Sequence, residues 1–249
     1  MRKLRYLQFF GWLVVALSLA YFVGTAYAAY SFVKTPSHQY LRTATPCPQW
    51  RATGYFTAAC WFNASNTTES HVLLRLEHES GEPAKNNRYL LIADGTDAVD
   101  RVKVVCQGND TITTDWANTT WGFSADTWHL AAVTCDGAQI SAHMDPPNVL
   151  AKGTYCPSQP ETEEKYLQVS GDNAFIPAIT GRVCEVAVWN IVLASKDLEM
   201  LGKGISPLHV RPDALIFYAP VVRDGQDIIG GFSLTATGAT PAPHARILH

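Results

Sequence analysis

One stretch, residues 181–224, limits the possible folds more than any other, because it reads as a strand, a short helix and a second strand. Apolar residues occupy both parities of 181–189, which is typical of a strand that is covered on most of both faces. Ser195 is then expected to cap a helix near 194–203, in which two leucines three residues apart form an apolar face. A second apolar run, 214–222, follows a proline-containing turn. This is the one helix that the sequence predicts.

The rest of the chain consists of short apolar runs between turn signals, with almost no helical periodicity. A short entry strand and turn are predicted at 30–32 and 38–41, and further strands at 56–62, 71–76, 89–93, 101–106, 128–134, 138–143, 166–169 and 232–236. Two stretches, 107–125 and 145–164, are polar or proline-rich and are interpreted as long loops. This pattern predicts an all-β protein: a two-sheet antiparallel sandwich with one short helix.

Four motifs carry a resemblance to a known family. They are FTAACWFN at 56–63, SADTWHLAAV at 124–133, GRVCEVAVWN at 181–190 and RPDALIFYAPVVRD at 211–224. Together they resemble the LamG-like jelly rolls of the concanavalin A-like lectin/glucanase superfamily, as found in environmental bacteria and phages. The resemblance implies a concanavalin A-like jelly roll over 29–249. It implies little about activity, because this fold hosts lectins, glycosidases, adhesins and virion parts.

The N-terminal 28 residues have the features of a secretory signal peptide. A basic start precedes an apolar run, and Ala26-Tyr27-Ala28 resembles a cleavage site. The same run approaches the length of a membrane span, so an uncleaved membrane anchor is the alternative and the one route to a membrane contact. The sequence therefore predicts a secreted or extracellular-surface protein. Without these residues the formal charge falls from −3 to −6, and no basic patch for nucleic acid is present.

Six cysteines follow the N-terminal segment: Cys47, Cys60, Cys106, Cys135, Cys156 and Cys184. An even number in an exported chain permits up to three disulfides. Four of them lie in apolar strand-like runs, where a free cysteine behaves as a small hydrophobe. The remaining two, Cys47 and Cys156, are predicted to form a disulfide between loops.

Catalytic motifs of this fold are missing from the sequence. Glucanases with this architecture carry E-x-D-x-x-E on one strand, so that paired carboxylates flank the scissile bond. Here Glu77 and Glu79 are followed at once by a Gly-Glu-Pro turn, and Glu185 stands alone in an apolar strand. No G-x-S-x-G motif supports a serine nucleophile. The chain is therefore not expected to be an enzyme.

Three carboxylates, Asp94, Asp97 and Asp100, lie close together in a predicted loop. Oxygen-rich loops are what calcium requires, and laminin-G-like relatives often hold calcium at loop tips, so calcium is the one cofactor the sequence suggests. An Asp- and Gly-rich hairpin also forms without an ion. Among the histidines, His129 follows a tryptophan at a strand start and is expected to be structural.

A sugar site is predicted in the loop from Asp115 to Trp121. Lectin sites combine an aromatic face with a few amide or carboxylate groups, and here Trp116 and Trp121 lie beside Asp115 and Asn118. Packing of both tryptophans at an edge is the alternative. The other tryptophans considered, at 50, 61, 128 and 189, have apolar neighbours and are interpreted as core.

Four N-x-S/T sequons, at Asn63, Asn66, Asn109 and Asn118, are candidate glycosylation sites, although chance accounts for them equally well in so Thr-rich a chain. The functional hypothesis is a secreted, non-catalytic, lectin-like module whose partners are cell-surface or environmental glycans. A structural subunit of a virion, filament or adhesin, which would self-associate, is the alternative. A diverged glycoside hydrolase is the least favoured reading.

Overall fold

A computed structural model of the 249-residue chain describes residues 27–32, 39–45, 55–77, 88–96, 101–107, 114–118, 122–137, 139–146, 151–153, 166–171, 178–221 and 225–243. These residues form fifteen strands, all paired antiparallel in two sheets, and one α-helix. The all-β, two-sheet jelly roll predicted from the sequence is confirmed. Residues 1–26, which contain most of the predicted signal peptide or anchor, lie outside the described residues. Among the residues that the structure describes, no helix has the length and apolar character needed to cross a bilayer.

The first sheet has eight strands. They are β1 (Tyr27–Phe32), β3 (Tyr55–Ala64), β8 (His129–Asp136), β9 (Ile140–Met144), β10 (Ala151–Gly153), β12 (Gly181–Trp189), β13 (Leu215–Ala219) and β15 (Thr240–Pro243). Their order is β10-β9-β8-β3-β12-β1-β15, and β13 also pairs with β12.

The second sheet has seven strands in the order β14-β2-β11-β4-β5-β6-β7. They are β2 (Tyr40–Thr43), β4 (Ser70–Glu77), β5 (Arg88–Asp94), β6 (Arg101–Gln107), β7 (Thr114–Asn118), β11 (Tyr166–Val169) and β14 (Leu234–Thr237). Because β2, β11 and β4 are neighbours, this sheet joins segments that are far apart in the sequence.

The core lies between the sheets and follows from the two-residue period of each strand. One parity of each strand faces the core, as with Leu41, Leu91, Val104, Leu167 and Val169, which are all at most 2% exposed. The opposite parity of the second sheet is called here the outer face. Several polar side chains lie there.

A bulge at Glu185 divides β12 into two halves. Residues 181–183 pair with β1, whereas 186–189 pair with β13, and the register with β3 shifts between Cys184 and Ala187. Glu185 takes a positive φ of 53° at this point, which is unusual for a residue other than glycine. The bulge therefore allows β12 to pair with β1 and with β13 along the same edge.

The helix, α1 (Ser195–Gly202), covers the side of the first sheet that faces away from the core. Leu198 and Leu201 are buried there, against a cluster that includes Trp189, which confirms the predicted apolar face. The predicted cap was wrong by one residue. Ala194 is the N-cap, and its N–H donates to Asp197 Oδ2 at 3.2 Å, so Asp197 provides a polar side-chain contact at the start of this helix.

Both stretches interpreted as long loops contain a strand. The polar stretch 107–125 includes β7, and the proline-rich stretch 145–164 includes β10. The tail also forms two strands rather than one, β14 in the second sheet and β15 in the first. These strands were missed because edge strands pair with one neighbour and need little apolar surface of their own.

Candidate functional site

The predicted sugar-binding residues lie on a strand rather than in a loop. Asp115, Trp116 and Asn118 belong to β7, the edge strand of the second sheet, whereas Trp121 lies outside the described residues. The register pairs Trp116 with Val105 and Asn118 with Lys103. Three of the four predicted sugar-binding residues therefore lie at the edge of a sheet.

One continuous register row crosses the whole second sheet and ends at Trp116. Directly paired residues of an antiparallel sheet share a face, and the members of this row alternate in each strand with core residues. In sheet order the row is Thr235, Arg42, Gln168, Arg75, Leu90, Val105 and Trp116. Six strand spacings of about 4.8 Å make it roughly 29 Å long.

The centre of the row carries two guanidinium groups on either side of an amide. Arg42, Gln168 and Arg75 belong to the adjacent strands β2, β11 and β4, so neighbouring Cβ atoms are about 5 Å apart. The Arg42 guanidinium lies over the ring of Tyr166, 4.4 Å from its centroid. This stacking fixes the guanidinium in place on the outer face.

Gln168 is fully buried although it lies on the outer face. Its Nε2 donates to the Ser170 carbonyl oxygen at 3.1 Å. Within the described ranges, its Oε1 has no hydrogen-bond partner, and neither has Nε of Arg42. A buried acceptor and a buried donor therefore lie side by side, each with unused hydrogen-bonding capacity.

Exposure increases along the row toward the β14 edge. Gln168 is buried, Arg42 is half-buried, and Thr235 is exposed. The row is therefore accessible at its β14 end and buried at Gln168 and Arg75. Sequence reasoning missed these residues, although Gln168 and Arg75 each stand between two apolar residues in their strands.

The first residue of the predicted calcium site already has partners. Asp94 Oδ2 accepts from Lys103 Nζ, and Oδ1 accepts from Ser70 Oγ at 2.6 Å and from Thr96 N at 2.9 Å. Burial disfavours the charged carboxylate, but these hydrogen bonds outweigh burial and hold the pKa of Asp94 well below its usual range. Asp97 and Asp100 lie outside the described residues. Across the segments that are described, no three His, Cys, Asp or Glu side chains are grouped to hold a metal ion.

The sequons differ in their surroundings. Asn63 is 2% exposed and its Oδ1 accepts from Arg182 Nη2 at 3.1 Å, which leaves no room for a glycan on the folded chain. Asn66 is half-buried in a turn, where its Oδ1 accepts from Thr68 N at 3.2 Å. Asn118 is in β7, and Asn109 lies outside the described residues.

The cysteines that the structure describes behave as small apolar residues. Cys60, Cys135 and Cys184 are free and buried, and burial raises the pKa of both Cys60 and Cys135. Both members of the predicted disulfide, Cys47 and Cys156, lie outside the described residues, so that bridge stays a prediction.

The tryptophans interpreted as core fall into two groups. Trp189 is fully buried, and its Nε1 donates to the Val210 carbonyl oxygen at 2.7 Å. Trp61 and Trp128 are only half-buried and pack against Ala29 and Cys184. Trp50 lies outside the described residues.

Two groups that resemble catalytic residues have structural contacts. Glu185 is 2% exposed and accepts a hydrogen bond from the Tyr218 hydroxyl at 2.6 Å. His129 Nδ1 lies 2.6 Å from Asp145 Oδ2, while its Nε2 accepts from Ser124 N–H at 3.0 Å. Both ring nitrogens of His129 therefore have partners within the folded chain. The structural role predicted for His129 is confirmed.

The fold has well-defined relatives. The Laminin_G_3 family model, described as the concanavalin A-like lectin/glucanases superfamily, matches residues 35–199. No curated protein sequence matches the chain. The family match and the following structural comparisons establish a concanavalin A-like fold.

Three solved structures illustrate the similarity. A native heptameric SAP-like pentraxin from Limulus polyphemus has a TM-score of 0.61 at 10% identity, over 88% of this chain and 96% of that one. A putative carbohydrate binding protein from Bacteroides ovatus has a TM-score of 0.60 at 15% identity, over 88% and 61%. The CBM40 of the Ruminococcus gnavus IT-sialidase, bound to α2,3 sialyllactose, has a TM-score of 0.51 at 12% identity, over 70% and 97%. At these identities the comparison shows the fold alone.

Proposed function

The chain belongs to the Laminin_G_3 family of the concanavalin A-like lectin/glucanases superfamily, and we propose that it is a secreted or surface-exposed, non-catalytic glycan-binding module. The register row carries the proposal, because it joins the strand of Trp116 to Arg75, Gln168 and Arg42 on one face. A glycan lying along this row would find the half-buried Arg42 and the exposed Thr235 toward one end and an aromatic residue at the other. Two structural neighbours are named for carbohydrate binding, which agrees with this function.

The described carboxylates support the proposed non-catalytic role. Glycosidases need two carboxyl groups about 5–9.5 Å apart at the scissile bond. Among strands of the second sheet, Asp94 is the one acid whose side chain is described, and its charge is matched by Lys103. The outer face therefore offers a row for binding without a described acid–nucleophile pair.

A glycan array with matched tryptophan variants tests the proposal. Trp116→Ala and Trp121→Ala, alone and combined, should abolish retention on the array and leave the melting temperature nearly unchanged. Trp128→Ala is the control, because Trp128 belongs to the opposite side of the molecule and packs near Cys184. Retention that survives in the double variant would reject the proposed site, and a large stability loss would show that these tryptophans serve packing. Reducing-sugar release from β-glucans would reject the non-catalytic role.

Assembly is the second candidate function. A heptameric pentraxin is among the structures with the same fold, and the edge strands β7 and β10 carry backbone groups suited to subunit contacts. Light scattering after size-exclusion chromatography separates the two readings. A monomer favours the glycan-binding module, and a defined oligomer or filament favours a structural subunit.

The proposed function also includes calcium binding and export. Calcium bound by Asp97 and Asp100, with or without Asp94, should raise the melting temperature saturably, and Asp97→Asn with Asp100→Asn should remove that rise.

Intact mass of the exported protein tests cleavage after Ala28, the bridge between Cys47 and Cys156, and glycosylation in one measurement. A mass that includes residues 1–28 would support the membrane anchor instead.

A further inference from the structure

Two adjacent isoleucines are exposed in the turn between β13 and β14. Ile228 is 51% and Ile229 is 44% exposed, whereas the other exposed large apolar residues of the described ranges, Tyr55 and Val192, are isolated in the sequence. We propose that this turn docks on a lipid bilayer through Ile228 and Ile229 in the chain that keeps its N-terminal segment. The inference goes beyond glycan binding and does not depend on it.

The turn, residues 225–232, presents no charge to solvent. Its one charged residue is Asp227, which is 4% exposed. The Asp227 carboxylate accepts hydrogen bonds from four backbone N–H groups at 2.8 to 3.0 Å, those of Tyr218, Ile229, Gly230 and Phe232. Exposed charges and unpaired amides are what make a segment costly to bring into an apolar environment. With its charge buried and these amides paired, the turn can bring two isoleucines to the edge of a bilayer at low cost.

The turn is also held in one conformation. Gly230 lies so close to β13 that an added Cβ would be 2.7 Å from the Ile216 carbonyl oxygen, and Gly231 has a φ of 77°. Together with the four hydrogen bonds to Asp227, these contacts fix the backbone that carries the isoleucines. A segment that is ordered before it docks loses little conformational entropy on docking.

The turn lies near the start of β1, where the chain enters the sandwich. β1 and β13 pair with successive parts of β12, and between them Glu185 N–H donates to the Pro220 carbonyl oxygen at 3.3 Å. Ile228 N–H donates to the carbonyl oxygen of Tyr218, at 2.9 Å. Strand spacings of about 4.8 Å and a rise of about 3.4 Å per residue then place Ile228 roughly 10–15 Å from Tyr27.

The N-terminal run, residues 9–23, identifies the bilayer as the occupant. The run is apolar, approaches the length of a membrane span, and ends four residues before Tyr27. Four residues reach at most about 14 Å. A bilayer that held this run would therefore lie within reach of Ile228 and Ile229, and the run would act as a tether.

Site-specific fluorescence on the full chain tests the inference. The chain is reconstituted in phosphatidylcholine vesicles with an environment-sensitive dye on Ile229→Cys, and wild type treated with the same dye measures any labelling of native thiols. Emission should shift to the blue, and a lipid-borne quencher should reduce it at least twofold more than at Tyr55→Cys or Val192→Cys. Both control positions are exposed, and Tyr55 begins β3, about 17 Å along the sheet from the level of Glu185.

A matched pair of double variants makes the test independent of a dye on the isoleucines themselves. The dye is placed on Ser233→Cys, an exposed position beside the turn. Ile228→Asn with Ile229→Asn should lower lipid quenching to the control level. Tyr55→Asn with Val192→Asn removes two exposed apolar side chains elsewhere and should leave it unchanged. Urea unfolding identifies a double variant that misfolds, in which case the dye on Ile229→Cys decides.

Three results would overturn the inference. Equal quenching at residues 229, 55 and 192 would show that the domain moves freely on its tether. A blue shift without lipid quenching would show that protein, either the N-terminal run or a second copy, covers the isoleucines. An exported chain that begins at Ala29 would lack the tether. Neither isoleucine belongs to the register row, so each of these failures leaves the proposed function intact.

Discussion

Acid should destabilise the sandwich through one buried histidine. His143 in β9 is 5% exposed, and its Nε2 lies 2.9 Å from Thr134 Oγ1. Burial lowers the pKa of His143 from its ordinary value of 6.5 to about 4, because desolvation disfavours the imidazolium. The folded chain therefore keeps this side chain neutral at pH values where the unfolded chain protonates it.

Proton linkage converts this pKa difference into a free energy of unfolding. Between pH 6.5 and pH 4 the unfolded state binds more protons, so stability falls as the pH falls, by up to about 1.4 kcal/mol per pH unit. From these two pKa values, His143 alone removes about 2 kcal/mol between pH 7.5 and pH 5. Its contribution is fully present above pH 6.5 and is lost by about pH 4.

Urea unfolding of wild type and His143→Phe at several pH values measures this contribution. The variant loses the contact with Thr134 at every pH, so the change with pH of the difference between the two proteins isolates the titration. His209→Phe, at an exposed position, controls for removal of a histidine as such. A difference between wild type and His143→Phe that stays constant within about 0.5 kcal/mol from pH 7.5 to pH 5 would refute the reasoning.

Three further predictions concern other buried groups. Asp94→Asn removes the carboxylate that pairs with Lys103 and should cost about 3–5 kcal/mol of unfolding free energy, whereas adding Lys103→Met should recover most of it; equal stability of the single variant and wild type would contradict the ion pair. Tyr218→Phe should cost about 1.5–3 kcal/mol in urea, because its hydroxyl donates to the buried carboxylate of Glu185, and no loss would contradict that hydrogen bond. The thiol of Cys60 should react with a thiol reagent only after denaturation, since burial raises its pKa and blocks access; rapid labelling of the native protein would disprove its burial.

The sequence predicts the centre of each sheet better than its margins. The strands β3, β8 and β12 were predicted because each has buried residues on both parities, and such runs are recognisable without any knowledge of their partners. β7 was interpreted as part of a loop because its hydrogen bonds depend on β6, a partner that its own residues do not reveal. The sequence therefore suggested sugar-binding residues at 115–118 without showing that they belong to a strand.

The register row could not be predicted because it depends on sheet order. Arg42 and Gln168 are 126 positions apart in the sequence, and Gln168 and Arg75 are 93 apart. Antiparallel pairing of β11 with both β2 and β4 brings them side by side. The strands β11 and β4 do contain a local signal, a polar residue between apolar ones, but that pattern also describes any solvent-facing strand position.

Gln168 tests whether a buried polar side chain on the outer face stabilises the fold. A buried acceptor without a partner costs about 1–3 kcal/mol, and its one hydrogen bond, to the Ser170 carbonyl oxygen, returns about 1 kcal/mol. Gln168→Met keeps the size and removes both effects, so the free energy of unfolding, measured in urea, should stay within about 1 kcal/mol of wild type or rise. Leu167→Ala, on the core side of the same strand, should instead lose about 2–5 kcal/mol. If Gln168→Met cost about 3 kcal/mol or more, Oε1 would have to be satisfied within the folded chain.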